Sequence, residues 1–320
     1  MSGCSPSSAI RSLSLPGRQL TLKQISDHPF YELHYQGDYG FGDFIKTGRQ
    51  INANRLPSNE DPIFSCSCFS ALGDPQQYLF GRNFDWYDHS ALILFTDPPA
   101  GYASVSMVDI SYLGYDRQHS PLDDLHVLVR APFLPFDGMN EHGLAVGMMS
   151  VDHAEGGVDK EKITLDELEL IRLMLDYARD VPEALQLLEN FNVDFGSVPV
   201  HYLLADASGN SAVVEYLAGA PVVVKSTQTW QAATNFLITE EKPDGANSSC
   251  FRYNHLVNAL SGTGGRLNFR DGMNLLKEVS QKGETGTRWS IIYDLTNKRI
   301  SLTMGRNYIT TYSFFTQKDG

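Results

Sequence analysis

Residues 65–86, SCSCFSALGDPQQYLFGRNFDW, gather several side chains that could do chemistry into one short stretch. Cys66 and Cys68 stand at the start of an alternating segment, and a second segment follows at once and ends in the run from Arg82 to Asp85. Charged side chains are rarely buried in a core unless they are paired. A strand that ends in this way therefore indicates a functional site rather than plain hydrophobic packing.

Cys66 has three interpretations on spacing alone. It is a buried structural thiol, since free cysteine is among the most buried residue types; or half of a redox or metal pair with Cys68; or a nucleophile. A C-x-C pair supplies only two metal ligands and no histidine lies close in sequence, which disfavours zinc. A disulfide between positions i and i+2 would strain the strand. Spacing alone favours the structural thiol and leaves the nucleophile open.

The composition is that of a folded soluble protein: 320 residues, of which 42% are hydrophobic and 20% charged. The length allows one large α/β domain or two small ones. A net charge of −13 disfavours a general affinity for nucleic acid or an anionic membrane. No apolar run approaches the roughly 20 residues that span a bilayer. Four cysteines do not make a disulfide framework.

The N-terminus contains no apolar segment of the kind that a secretory signal needs. We therefore expect a cytoplasmic protein as the sequence stands, and an extracytoplasmic one if a leader was removed. Residues 1–20 are rich in Ser, Gly and Pro and predict a loose tail. The stretch RLPSNEDPIFS, residues 55–65, predicts an exposed loop of the type where chains are cut.

Strands and helices come in blocks along the rest of the chain. SCSCFSAL and QQYLFGRNFDW flank the turn GDP and predict a β-hairpin. The helical period of TLDELELIRLMLDYARD predicts a helix, with Thr164 and Glu167 as its capping box. Asp180 with Pro182 predicts the start of another short helix, and further strands, a helix near 269–281 and a closing hairpin around LTNK follow. Blocks of this kind favour antiparallel sheets covered by helices over a parallel doubly wound sheet.

The opening CSCFSALGDPQQYLFGRNFDW resembles that of the choloylglycine hydrolase, or linear amide C–N hydrolase, family, which includes bile salt hydrolases, penicillin V acylases, acid amidases and acyl-coenzyme A:6-aminopenicillanic acid acyltransferases. Cys66-Ser67 matches the family's mature N-terminus, and Gly-Arg-Asn-Phe-Asp at 81–85 matches its next motif. Arg82 lies 16 residues after Cys66 and 14 after Cys68, and the family spacing selects Cys66. FDGMNEHGLAVGMM, HYLLADASGNSAVVEY, ATNF and RWSIIYDLTNKRISLTMGRNY continue the likeness in order, over about 66–310.

The resemblance implies an α+β fold, the four-layer αββα sandwich of the N-terminal nucleophile hydrolases, with antiparallel sheets. It implies a precursor cut between Ser65 and Cys66, with 1–65 as a propeptide and 66–320 as the hydrolase domain. Such a cut frees an α-amino group whose pKa, about 7.7–8.0, lets it act as a base at neutral pH. One residue then supplies both the thiol nucleophile and its base.

The resemblance also assigns roles to side chains. Arg82 would lie beside Cys66 and favour its thiolate, and Asp85 would accept a hydrogen bond from the α-amine. Asn235 matches the family's oxyanion-hole asparagine, a donor to the charge that develops in the tetrahedral intermediate. Arg252 is a weaker candidate, because Cys250 occupies the simplest aligned place of the family's arginine.

One departure concerns the strand GLAVGMMS. Many relatives carry a second oxyanion asparagine where this sequence has Met149 and Ser150. The sequence leaves open whether a backbone N–H or the Ser150 hydroxyl replaces that second asparagine as a hydrogen-bond donor.

The implied activity is hydrolysis of a carbon–nitrogen bond, other than a peptide bond, in a linear amide. A small-molecule acyl amide would be the substrate, no cofactor would be needed, and a homo-oligomer is left open. The alternatives are an acyltransferase on the same site, a non-catalytic family member that binds a ligand or partner, and a thiol redox protein that uses Cys66 and Cys68.

Overall fold

Two β-sheets form the centre of the protein in a computed structural model that describes residues 9–26, 29–48, 66–196, 198–240 and 250–316. The strands of these residues are β1 Ile10–Leu15, β2 Arg18–Ser26, β3 Phe30–Gly37, β4 Ser67–Ala71, β5 Leu79–Asp85, β6 Ala91–Asp97, β7 Ser104–Asp109, β8 Asp137–Asn140, β9 Ala145–Ser150, β10 Thr164–Asp166, β11 Asn192–Asp194, β12 Val200–Ala205, β13 Ser211–Leu217, β14 Ala220–Lys225, β15 Trp230–Ala233, β16 Thr287–Asp294, β17 Arg299–Met304 and β18 Tyr312–Phe315. The helices are α1 Phe41–Thr47, α2 Glu167–Tyr177, α3 Val181–Leu188, α4 Phe251–Thr263 and α5 Phe269–Glu278, with 3-10 helices at Ile110–Leu113 and His126–Phe133.

The larger sheet has the strand order β1-β2-β3-β6-β7-β8-β9-β12-β13-β14 within the described residues. Its pairings are antiparallel except between β3 and β6, which run parallel. The smaller sheet has the order β15-β4-β5-β16-β17-β18, and its pairings are antiparallel. Strands β10 and β11 form a separate parallel pair beside the start of α2.

The sheets face each other, and helices cover their outer faces. Strand β4 of the smaller sheet lies against β9 and β12 of the larger one. Helix α2 packs on β8 and β9, whereas α4 and α5 pack on β15, β5 and β16. The expected four-layer αββα sandwich is confirmed. None of the described helices is both long and apolar enough to cross a membrane.

Two local predictions were wrong. The N-cap of α2 is Asp166, whose side chain accepts from the N–H groups of Leu168 and Glu169, while the Glu169 side chain accepts from the N–H of Asp166. Thr164 instead lies in β10, because its segment pairs with β11. The loose tail predicted for 1–20 also fails over its described part. There β1 and β2 form a hairpin whose apolar side chains reach the core.

The hairpin expected from GDP is confirmed as β4 and β5, and the helices expected from Asp180-Val-Pro182 and near 269–281 are confirmed as α3 and α5. Asp180 caps α3 by accepting from the N–H of Glu183. Helix α4 was not predicted. The predicted loop 55–65 lies outside the described residues.

The N-terminal segment is built into the larger sheet. Strand β3 pairs along its length with β6, and Phe41 and Phe44 of α1 are buried. Tyr39 donates a hydrogen bond to Asp176 in α2 (2.5 Å), and Asp176 in turn accepts from Arg172 at 3.0 Å. All three side chains are almost fully buried. The segment therefore shares the core of the rest of the chain.

Gly147 in β9 lies at a close contact between the two sheets. A Cβ atom there would be 3.0 Å from Cδ of Arg82, 3.2 Å from Sγ of Cys68 and 3.2 Å from the ring of Phe80. These neighbours lie on β4 and β5, so a side chain on Gly147 would push the smaller sheet away.

We expect Gly147→Ala to lower the free energy of unfolding by about 1–3 kcal/mol, because overpacking strains a close-packed core. Chemical denaturation measures this change. Gly262→Ala is the matched control: its site in α4 has no neighbour within 4 Å of the added Cβ. Alanine there should leave stability unchanged or raise it by up to about 1 kcal/mol. Equal stability of both variants would contradict the close approach.

Candidate active site

Cys66 lies immediately before β4 and is only 2% exposed. Its Sγ is 3.8 Å from Nη2 of Arg82, and it accepts a hydrogen bond from the backbone N–H of Asp85. Burial raises the pKa of the Cys66 thiol, and the Arg82 charge opposes that rise without cancelling it. The expected neighbour is present, but in this uncut chain the thiol form is favoured.

Arg82 in β5 is completely buried and ties the two sheets together. Its Nη1 forms an ion pair with Asp137 of β8, and its Nη2 donates to the carbonyl oxygen of Met148 in β9 at 2.7 Å. Asp137 also accepts from Nε1 of Trp289 at 3.0 Å and from the hydroxyl of Tyr293 at 2.5 Å. The guanidinium is thereby fixed in place next to the sulfur.

Asp137 is a site residue that the sequence reasoning missed. The signal that could have found it is its motif, FDGMN, which puts a carboxylate at the start of an apolar strand. Asn83 lies next to Arg82 in strand β5, but its side chain lies on the other face of the sheet. It donates to the carbonyl of Leu276 in α5 (2.7 Å) and accepts from Ser290 (2.6 Å).

Asp85, at the end of β5, is fully buried and has one oxygen unused. Its Oδ1 accepts from the hydroxyl of Thr287 at 2.5 Å. Its Oδ2 is buried and has no hydrogen-bond partner among the described residues. Burial raises the pKa of Asp85 from 3.8 to about 7, against the lowering effect of Thr287 and nearby arginines. The site therefore holds a carboxyl group with room for one more donor.

Asn235 comes next to Cys66 through strand pairing. In the register of β15 with β4, Ala233 is opposite Cys68, so two further residues bring Asn235 beside Cys66. Its Nδ2 donates to the backbone oxygen and to Oγ of Ser150, both at 2.9 Å. Ser150 is, with Met149, one of the two residues at which the sequence departs from the family pattern.

Arg252 in α4 links the expected residues to one another. Its Nη1 donates to the carbonyl oxygen of Cys66 and to Oγ of Ser67 (2.9 Å), and its Nη2 donates to Oδ1 of Asn235 at 2.9 Å. The structure thus brings Cys66, Arg82, Asp85, Asn235 and Arg252 into one connected group.

Cys68 faces the same side of β4 but lies deeper. It is fully buried, its sulfur packs against Gly147, and burial raises its pKa strongly. Cys66 and Cys68 are both free thiols. Within the described residues, His, Cys, Asp and Glu side chains form no group of three or more that could hold a metal ion.

A small, mostly apolar pocket opens at Cys66. Its volume is about 370 Å³, including the part open to solvent. It is lined by Cys66, Arg82, Phe84, Tyr112, Phe136, Met148, Ser150, Glu167, Leu168, Val198 and Val200. Such a pocket fits an apolar group whose polar end reaches the sulfur.

The Asp85 carboxyl should make the stability of the uncut protein depend on pH. Its pKa is about 7 when folded and 3.8 ordinarily, so the stability it contributes is present below about pH 4 and is lost as the pH rises to about 7. We expect Cys66→Ala, kept uncut, to lose up to about 1.4 kcal/mol per pH unit in this range relative to Cys66→Ala/Asp85→Asn. Denaturation curves at pH 4–7 measure the difference, and parallel pH profiles would contradict it.

Comparison with solved structures places this fold among known hydrolases. The chain is similar to penicillin V acylase from Agrobacterium tumefaciens, with 22% identity and a TM-score of 0.58 over 78% of this chain and 85% of that one. It is also similar to a conjugated bile acid hydrolase from Clostridium perfringens, with 14% identity and a TM-score of 0.57 over 78% and 92% of the chains. At these identities the likeness confirms the N-terminal nucleophile hydrolase fold.

Sequence comparison adds one relative and one family. An uncharacterized protein of Paramecium bursaria Chlorella virus 1 is 31% identical over 97 residues, which cover 28% of this chain and 35% of the viral protein. The match thus spans about a third of that relative's length. The profile of the acyl-coenzyme A:6-aminopenicillanic acid acyl-transferase family matches residues 131–308, more than half of the chain. The resemblance noted in the sequence is therefore confirmed, and the chain belongs to this family.

Proposed function

We propose that this protein is a cysteine amidase that hydrolyses the C–N bond of linear acyl amides through an acyl-Cys66 intermediate. The observation that carries the proposal is the grouping of a buried thiol, a guanidinium and an aspartate with one unused oxygen around the residue where the resemblance puts the mature N-terminus. The names of the structural neighbours, a penicillin acylase and a bile acid hydrolase, support the same reaction class.

The first step is a cut between Ser65 and Cys66. The Cys66 sulfur attacks the Ser65 carbonyl carbon, the C–N bond breaks as the nitrogen takes a proton, and water then releases the resulting thioester as a free carboxylate. The new α-amino group forms next to Asp85, whose unused Oδ2 can accept a hydrogen bond from it. Arg252 holds the Cys66 carbonyl, which keeps the new chain end in place.

The freed amine then serves as the base for turnover. It takes the thiol proton as Sγ attacks the substrate carbonyl, and it returns that proton to the departing amine. The oxyanion would lie near Nδ2 of Asn235, with Ser150 beside it in place of a second asparagine. Water, activated by the same amine, resolves the acyl-Cys66 thioester to a carboxylic acid. No cofactor enters these steps.

The pocket at Cys66 supports an apolar acyl group. Phe84, Phe136 and Leu168 line it together with valine side chains, whereas charged groups are few. A panel of p-nitroanilides of butyric, octanoic and phenylacetic acids would report both turnover and acyl size. The family's own description supports acyl transfer as the second candidate, in which an amine replaces water as the acceptor. Product analysis with and without added amine separates the two reactions.

We expect the purified protein to contain a chain that begins at Cys66, by intact mass and N-terminal sequencing. Cys66→Ala should remain uncut and lose all turnover, because it lacks the nucleophile for both reactions. Cys68→Ser is the matched control and should be cut and active, since Cys68 is fully buried against Gly147. An uncut chain with full activity would contradict the proposal, and inactivity of Cys68→Ser alone would favour the redox alternative.

We further expect residues 1–65 to stay bound after the cut, because β1–β3 and α1 belong to the shared core. Tyr39→Phe removes the donor to buried Asp176 and should weaken this association by about 1.5–3 kcal/mol, the range for a hydrogen bond to a charged group. Size-exclusion chromatography in increasing urea measures release of the fragment.

Tyr31→Phe is the control for Tyr39→Phe, because the Tyr31 hydroxyl has a longer contact of 3.4 Å with Ser120. Release of the fragment from both variants at the same urea concentration would contradict an anchoring role for Tyr39.

A further inference from the structure

His201 and Glu215 form a buried charged pair beside the segment that carries Asn235. His201 lies in β12 and Glu215 in β13, and the register of these strands puts the two residues opposite each other. Both side chains are 0% exposed, and Nδ1 of His201 is 3.3 Å from Oε1 of Glu215. A charged pair this deep is costly unless its remaining hydrogen-bonding capacity is used.

The hydrogen-bond partners of His201 indicate which of its ring nitrogens carry a proton. Nε2 of His201 is 2.7 Å from the carbonyl oxygen of Thr234, and Nδ1 faces the Glu215 carboxylate. Both partners are acceptors, and a neutral imidazole has only one N–H. The ring can satisfy both contacts only when both nitrogens carry a proton.

Glu215 is correspondingly ionised. Its Oε1 accepts from the N–H of Ile238 at 2.5 Å, and its Oε2 accepts from the N–H of Thr239 at 3.2 Å and from the Thr239 hydroxyl at 2.6 Å. Burial works to raise the pKa of Glu215, but the hydrogen bonds from His201, Thr239 and Ile238 outweigh it and lower that pKa. The carboxylate is thus the acceptor at the centre of four contacts.

These contacts hold the backbone on both sides of Asn235. The Thr234 carbonyl belongs to the peptide group that joins Thr234 to Asn235, and it is held by His201. The N–H groups of Ile238 and Thr239, held by Glu215, follow three and four residues later. The Asn235 side chain is held separately, by Ser150 and Arg252.

We propose that the His201–Glu215 ion pair positions Asn235 for its role at the oxyanion by clamping the segment 234–239 at both ends. The inference rests on the proposed function, in which Asn235 donates to the oxyanion. His201 and Glu215 are positioning residues that act through Asn235.

The test compares Glu215→Gln, Asn235→Ala and the double variant in the cut protein, with the most active p-nitroanilide of the panel as substrate. Glu215→Gln should lower kcat by about 10- to 100-fold with little change in KM, because an oxyanion contact matters in the transition state. In the Asn235→Ala background the same change should have no further effect on kcat. The proposal would be overturned if the two substitutions lowered kcat by factors that multiply in the double variant, or if kcat were unchanged in Glu215→Gln.

Asp206→Asn is the matched control. It also removes a carboxylate from the β12–β13 hairpin, but one that lies at the turn. There Asp206 accepts hydrogen bonds from the N–H groups of Ser208 and Asn210. It should lower stability without lowering kcat. If kcat falls in proportion to thermal stability in both Glu215→Gln and Asp206→Asn, the pair has only a structural role, and the proposed positioning of Asn235 is overturned.

Two further measurements do not depend on turnover. Nitrogen-15 NMR should show a proton on both ring nitrogens of His201 in the wild-type protein. Amide exchange at Ile238 and Thr239 should become faster in Glu215→Gln and stay unchanged in Asp206→Asn. A singly protonated ring or unchanged exchange in Glu215→Gln overturns the clamp, whereas an intact clamp with unchanged kcat in Asn235→Ala overturns the oxyanion role instead.

Discussion

The ion pair between Arg82 and Asp137 is the interaction on which the rest of the site depends. Arg82 comes from the smaller sheet and Asp137 from the larger one, and neither is exposed to solvent. Removing one partner of such a pair leaves an uncompensated buried charge, a change that costs about 3–5 kcal/mol. The pair therefore fixes how the sheets face each other, and it does so beside the Cys66 sulfur.

The same constraint explains why Arg82 alone does not make Cys66 a thiolate. Much of the guanidinium charge is already shared with Asp137 and with the carbonyl of Met148, while burial favours the neutral thiol. A thiol in this position needs a base within reach. In the uncut chain the nitrogen of Cys66 is a peptide amide, which is not basic. Asp85, with one unused oxygen, would give the proposed α-amine a hydrogen-bond acceptor.

Much of this arrangement could be predicted from the sequence, since it depends on local patterns. The β4–β5 hairpin follows from two alternating segments around a turn, and its geometry carries Cys66, Arg82 and Asp85. Asn235 and Arg252 could be named only through the family resemblance, because they approach Cys66 through pairings across more than 160 residues of chain. Asp137 was missed for the same reason, since its partner Arg82 is 55 residues away in sequence.

The incorporation of β1–β3 into the larger sheet was also beyond the sequence. A short polar hairpin such as IRSLSLPGRQL has few apolar residues, and its place is decided by the antiparallel pairing of β2 with β3, which itself pairs in parallel with β6. Ser150 shows a second limit of prediction from sequence. The sequence marks it as a departure from relatives, but only the structure gives its contact with Asn235.

In the proposed reaction the acyl group is carried by the sulfur of Cys66. The most direct measurement is to mix the cut protein with a p-nitroanilide substrate, quench in acid within the first turnover, and map the acyl mass by peptide mass spectrometry. We expect an acyl adduct on Cys66 that appears with the release of p-nitroaniline and decays with the formation of the acid. Release of p-nitroaniline at the full rate with an unmodified Cys66 at every time point would contradict it.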